Sequence, residues 1–139
     1  MGQRLCAALT VVATSLTAAA CSARLDSGRL IELQRVRSGM FDVFLLSPRD
    51  ALRHGKDTFV IEFRETSGGA LVDAGTVRAT ATMPMPGMPM LASIDVRPTN
   101  VAGRYEATSD FSMAGTWRMT LEWNGPAGPG SASFAGNVR

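Results

Sequence analysis

Trp117-Arg118-Met119-Thr120-Leu121-Glu122-Trp123 alternates large apolar and polar side chains without a break. Successive side chains of an extended strand point to opposite faces, so this register puts Trp117, Met119, Leu121 and Trp123 on one side. Arg118, Thr120 and Glu122 fall on the other. The same period of two recurs outward along the chain. Phe59, Ile61 and Phe63 alternate with Glu62 and Arg64; Val77, Ala79 and Ala81 with Arg78, Thr80 and Thr82; Ile94 and Val96 with Asp95 and Arg97. Tyr105, Ala107 and Phe111 share a face, Met40 to Leu46 is a β-rich run closing at Ser47-Pro48, and Ala132, Phe134 and Val138 suggest a last edge strand.

Between these runs stand Ser67-Gly68-Gly69, Pro86-Gly87, Pro98-Thr99-Asn100, Ala114-Gly115 and Asn124-Gly125-Pro126, all turn formers. Short alternating strands with such punctuation predict an all-β fold, an antiparallel β-sandwich of seven to eight strands with one solvated face per sheet. Residues 49–56 have room for one helical turn, and residues 125–130, Gly-Pro-Ala-Gly-Pro-Gly, read as a loop. Trp117 is expected in the core and Trp123 partly exposed; the scattered Asp and Glu read as solvated edges. Gly103-Arg104-Tyr105 matches part of the tyrosine corner of immunoglobulin-like folds, with a plain core ring as the alternative.

The N-terminal segment has a different logic. Arg4 precedes an uncharged, apolar or small run from Leu5 to Ala20, and the sequence then reads Ala18-Ala19-Ala20-Cys21. A charged start, a short apolar stretch and small residues at its end make a secretory signal. Cysteine after the small residues resembles the bacterial lipobox, in which the thiol takes a diacylglyceryl group; Ala18 stands where Leu is usual. The expected division is a removed signal over 1–20, a lipidated Cys21 with a tether over 21–29, and one β-sandwich domain over 30–139. Several acyl chains give stable anchoring where one does not. Ser22 lacks the aspartate that retains lipoproteins in the inner membrane, so a Gram-negative host implies the outer membrane.

Cys6 leaves with the signal, and lipidation uses the thiol of Cys21, which closes off cysteine nucleophiles, zinc-thiolate sites and disulfides together. The net charge is +2, with no basic block, so nucleic acid is not an expected partner. The only histidine is His54, with no Gly-x-Ser-x-Gly elbow, and there is no phosphate loop or dinucleotide fingerprint. No enzyme is expected.

One segment stands apart. Met83-Pro84-Met85-Pro86-Gly87-Met88-Pro89-Met90 is nearly symmetric about Pro86-Gly87, the signature of a type II turn. In extended arms, residues two apart share a face, which would send four thioethers to one side. Thioether sulfur is soft and neutral and selects Cu(I) over hard cations. It loses no proton on binding, so such a site keeps its metal in acid. Met113 is a further candidate if its loop lies at the same end. Two other readings stand beside this one: methionines that plug the end of the core against Trp117, Tyr105 or Phe111, and a Met-rich patch for an envelope protein partner.

The Met-Pro-Gly-Met segment at 83–90, Gly103-Arg104-Tyr105-Glu106-Ala107 and Phe111-Ser112-Met113-Ala114-Gly115-Thr116-Trp117, in that order and spacing, resemble the YtkA-like domain family, related to the FixH-like proteins. The resemblance covers roughly residues 38–123. It implies an immunoglobulin-like sandwich on the outer side of the cytoplasmic membrane or in the periplasm. It also implies a context of copper handling, heavy-metal efflux or cytochrome oxidase assembly, with Met83, Met85, Met88 and Met90 as candidate Cu(I) ligands. The chain departs from the family's expected pattern in having no histidine among the methionines; His54 is far off in sequence.

Overall fold

A computed structural model describes residues 28–139; the expected signal, Cys21 and most of the expected tether lie outside the described residues. Eight strands follow in order: β1 (Ile31–Ser38), β2 (Phe41–Ser47), β3 (Gly55–Glu65), β4 (Thr76–Met83), β5 (Met90–Pro98), β6 (Arg104–Phe111), β7 (Gly115–Gly125) and β8 (Gly128–Val138). They form one sheet in the order β1-β2-β3-β6-β5-β4-β7-β8, antiparallel at every step. The β4-β5-β6 meander with β7 returning beside β4 is a Greek key.

The sheet is folded on itself. Phe41 of β2 and Phe63 of β3 meet the Trp123 ring of β7 edge-on at 6.0 and 5.1 Å, and Phe111 of β6 lies 5.4 Å from Trp117. Strands far apart in sheet order therefore face one another across the core. The two edges also approach: Gln34 Nε2 donates to the Ala135 carbonyl at 2.6 Å, and Ser38 Oγ to the Ser131 carbonyl at 2.8 Å. Side chains of β1 thus satisfy carbonyls of β8 that would otherwise form an open edge. The expected all-β, antiparallel architecture of seven to eight strands is observed with eight, built from a single folded-over sheet.

The alternating residues occupy the core as their period requires. Phe59, Ile61, Phe63, Tyr105, Ala107, Phe111, Trp117, Met119, Leu121 and Phe134 are all buried. Trp123 is buried as well, not partly exposed, because Gly130 of β8 leaves room for its indole: a Cβ there would lie 2.5 Å from the ring. Residues 125–130 are not a loop. β7 and β8 pair down to Gly125↔Gly128, and only Pro126 and Ala127 turn. Residues 49–56 hold no helical turn; Leu52 instead bridges Val138. β1 is a strand the alternation does not announce, since a bulge between Glu32 and Gln34 breaks its register and all of it is exposed or half-buried.

The acidic residues are also not all solvated edges. A cross-strand row on the outer face runs Arg35↔Phe44↔Glu62↔Arg104. Glu62 is buried and receives Arg64 Nη2 on one oxygen and Arg104 Nη2 on the other, each at 2.6 Å, while Arg35 stacks 4.5 Å from the Phe44 ring centre. A buried carboxylate survives because both oxygens are paired with charged donors. Beside this row Arg37 holds buried Asp42, and its hydrogen bond lowers the Asp42 carboxyl from the ordinary carboxylate range.

Strict antiparallel alternation sorts the connections to two ends. One end gathers the start of β1, the 48–54, 84–89 and 112–114 loops and the end of β8. The other gathers residues 39–40, 66–75, 99–103 and 126–127.

Candidate functional site

The end that carries the methionines starts from a hairpin. Met83 of β4 and Met90 of β5 are direct cross-strand partners, so residues 84–89 form the connection. Gly87 takes φ 89°, the left-handed value that the third residue of a type II turn demands, as Pro86-Gly87 predicts. Residues 84–89 are exposed throughout. No charged residue occurs between Arg78 and Asp95, so the tip presents sulfur, proline rings and backbone.

The four methionines of the segment do not share one face. Met83 is only 8% exposed and belongs to the core. Its Cε lies so close to Gly115 that a Cβ at 115 would come within 2.7 Å of it. Met90 is half-buried against the same core. Met85 and Met88 are exposed, Met88 at 78%. The arms are strands only up to Met83 and from Met90, so the pleat that would align all four ends at the cross-strand pair. Plug and exposed sulfur are thus both present in one segment.

Met113 comes to the same end. It sits on the three-residue link between β6 and β7, exposed, and its carbonyl accepts the Trp117 indole N–H at 3.1 Å, which ties the link to the core. The neighbouring 48–54 loop is held by buried Asp57, which accepts from the Arg53 amide at 2.7 Å, from the Thr58 amide at 2.9 Å and from the Arg49 guanidinium. His54 lies on this loop with an exposed side chain. Its amide donates to the Arg139 carbonyl at 2.8 Å, and the next residue, Gly55, pairs with Phe111, so the fold brings the lone histidine to the methionine end.

Leu91 is a surface residue that the sequence reading passed over. It is 75% exposed and lies in the row Leu91↔Thr82↔Arg118. The signal was legible: with Met90, Ala92 and Ile94 facing inward, Leu91 must face out. The sequence marks Gly115 only as a turn former, because nothing local says that a methionine will need its missing side chain.

Besides the exposed imidazole of His54, the soft donors at this end are thioethers. Among the described residues no three His, Cys, Asp or Glu side chains gather as a metal-ligating group. Exposed Met85, Met88 and Met113 with half-buried Met90 are soft, uncharged donors of the type that suits Cu(I).

The opposite end is finished differently. Tyr105 Oη donates to the Asp73 carboxylate at 3.1 Å and is 2.9 Å from the Gly75 carbonyl, so the 66–75 connection is fastened to the start of β6. This resembles a tyrosine corner in its use of the hydroxyl, with the partner about thirty residues upstream instead of a few. Burial, and next the bond to Asp73, push the phenol up to about 12. The Val72 amide bonds the Phe63 carbonyl and the Phe63 amide bonds the Gly103 carbonyl, both at 2.9 Å.

A family model described as YtkA-like matches residues 37–122. No curated protein and no solved structure matches the chain. The matched span contains β2 to β6 and β7 as far as Glu122, with the Met83–Met90 hairpin, Met113 and Tyr105 inside it; β8 and most of β1, the two edges that meet, lie outside. With more than half of its length covered by that match, the chain belongs to the YtkA-like family.

Proposed function

We propose that this protein is a membrane-anchored extracytoplasmic binding module that holds Cu(I) at its methionine end, in copper handling or oxidase assembly. The observation that carries this reading is the exposure of Met85, Met88 and Met113 on two loops at one end of the sheet. Met90 at the core margin is a fourth donor, and Met83 is a ligand only if it leaves Gly115 and turns outward. Membership in the YtkA-like, FixH-related family supports an extracytoplasmic binding role, and the lipobox-like Ala18-Ala19-Ala20-Cys21 supports the anchor.

Cu(I) would be bound by neutral sulfur, so affinity should not fall as pH drops. The test is an anaerobic Cu(I) competition titration of the mature chain against a chromogenic chelator, at neutral and acidic pH. Beside it runs a variant with Met83, Met85, Met88 and Met90 changed to Leu. The expected result is stoichiometric binding that survives acid and is lost in the variant. A folded wild-type chain that fails to compete removes the copper reading.

A second reading has its own observation. Leu91 is no metal ligand, yet it is exposed beside the methionines. A metal-free module that docks this tip on an envelope protein would lose its partner on Leu91→Asp, a change that leaves thioether coordination alone.

A further inference from the structure

We infer that the methionine end faces the lipid bilayer, with Met85, Met88 and Leu91 seated on an anionic membrane surface. The inference rests on the lipid-anchor part of the proposed function and is independent of copper.

The first support is where the chain enters the fold. Neighbouring strands run antiparallel at every step, so β1 begins at the end that holds the 84–89 and 112–114 loops. The side-chain bonds from Gln34 to Ala135 and Ser38 to Ser131 fix this: they run β1 against β8, which ends at Val138 opposite Gly115. Gly115 in turn lies against Met83. A tether from Cys21 therefore reaches the domain at its methionine end.

The second support is length. Ten links join Cys21 to Ile31, which span at most about 35 Å fully extended and about 17 Å as a flexible coil. The 11-residue strands β3, β7 and β8 are themselves about 36 Å long. Presenting the opposite end to the membrane would require the tether to be fully stretched along the whole domain, with nothing left over. Chain entropy favours the other orientation.

The third support is the surface. Met88 and Leu91 are the most exposed large apolar side chains of the described residues, and the segment from Met83 to Ile94 has no charge. At this same end Arg53, Lys56 and Arg118 are exposed and make no ion pair among the described residues, while Arg49 and Arg139 are paired with Asp57 and Asp50; exposed Asp110, the cross-strand neighbour of Lys56, leaves the cations in excess. An apolar tip with free cations beside it suits a surface of acidic headgroups over hydrocarbon. The opposite end has exposed Met40 and Val101 on separate loops and carries Glu65 and Asp73.

The test uses the full acylated chain in vesicles of phosphatidylethanolamine and phosphatidylglycerol. Met88→Cys and, at the opposite end, Asn100→Cys are each labelled with an environment-sensitive fluorophore; both sites are exposed, so neither label disturbs the core. The expected result is a blue shift and several-fold stronger quenching by brominated lipid at position 88 than at 100. The difference should weaken when phosphatidylglycerol is replaced by phosphatidylcholine or when Arg53 and Lys56 are changed to Glu. Equal, water-like signals at both positions overturn the inference, and so does a shift at 88 that requires an added membrane protein. Intact mass separates the two levels. A chain without acyl groups on Cys21 removes the anchor and this inference together. An acylated chain with position 88 in water removes the inference alone. No metal enters the readout, so loss of the copper reading leaves it standing.

Discussion

The two ends of the folded sheet use the same materials and finish them in opposite ways. Each has glycines at positive φ, connections between strands and large apolar side chains. At the tyrosine end the connections are closed on one another. Tyr105 fastens the 66–75 connection through Asp73 and Gly75. Gly75, Gly103 and Gly125 let backbones approach so closely that a Cβ would meet a carbonyl oxygen at 2.3, 2.6 and 2.4 Å. At the methionine end Gly87 shares the positive φ of Gly75 and Gly103 but has open space around it. Among the described residues no hydrogen bond ties 84–89 to a neighbouring loop, and the apolar side chains face solvent. One end is fastened within the chain around Tyr105, with Met40 and Val101 exposed singly on separate loops. The other leaves apolar surface and soft donors for something outside it.

The largest test of this contrast is a matched pair of glycine substitutions. Gly103→Ala should cost about 4 kcal/mol, since it combines a left-handed backbone with a clash against the Val72 main chain. Gly87→Ala, with a similar φ and no neighbour, should cost about 1 kcal/mol. Urea denaturation of both measures the difference, and equal losses would break the comparison.

Next in size is the tyrosine. Tyr105→Phe gives up the bonds to Asp73 and Gly75 and should cost about 1–2 kcal/mol. Its pH dependence has a definite sign. The fold raises the phenol from 10.0 to about 12, so it favours the neutral form. That stabilisation is complete below pH 10 and is lost as pH rises from 10 to about 12. Tyr105 is the only tyrosine, so phenolate absorbance reads it directly. The native midpoint should lie near 12, and the Phe variant should lack this alkaline loss of stability.

The smallest effect on stability should come from the exposed sulfurs. Met85, Met88 and Met113 changed together to Leu should leave the denaturation midpoint within about 0.5 kcal/mol of wild type. Under the proposed function the same variant should lose most of its Cu(I) affinity. Met83→Leu should instead cost about 1 kcal/mol, because its side chain is fitted to Gly115. A large loss from the exposed trio would mean that the methionine end is also structural.

The residues that made the strands legible did so through local geometry. Trp117 to Trp123, Phe59 to Phe63 and Val77 to Ala81 alternate because one face is buried, and that pattern is written in consecutive positions. β1 escaped notice where its bulge broke the period and burial was slight. Residues 125–130 look like a loop because glycine and proline dominate them. Yet Gly130 is the space for Trp123, and Pro129 sits on the outermost strand, where no ladder partner needs its missing N–H. Glu62 reads as a surface carboxylate until Arg64 and Arg104 close over it. The Pro86-Gly87 turn was legible; the division of its methionines into buried and exposed was not, because Gly115 decides it from another strand.

The sequence alone determined the strands β2 to β7, the inward face of most of their residues, and where the methionine hairpin bends. These are properties of neighbouring residues and of a backbone whose side chains alternate. Only the tertiary structure decided which loops share an end. Met113 and His54 join the methionines, Tyr105 reaches Asp73, and β1 begins at the methionine end because of strand order. Strand order is set by pairings between residues far apart in the chain, chosen by how the whole apolar face can be buried at once.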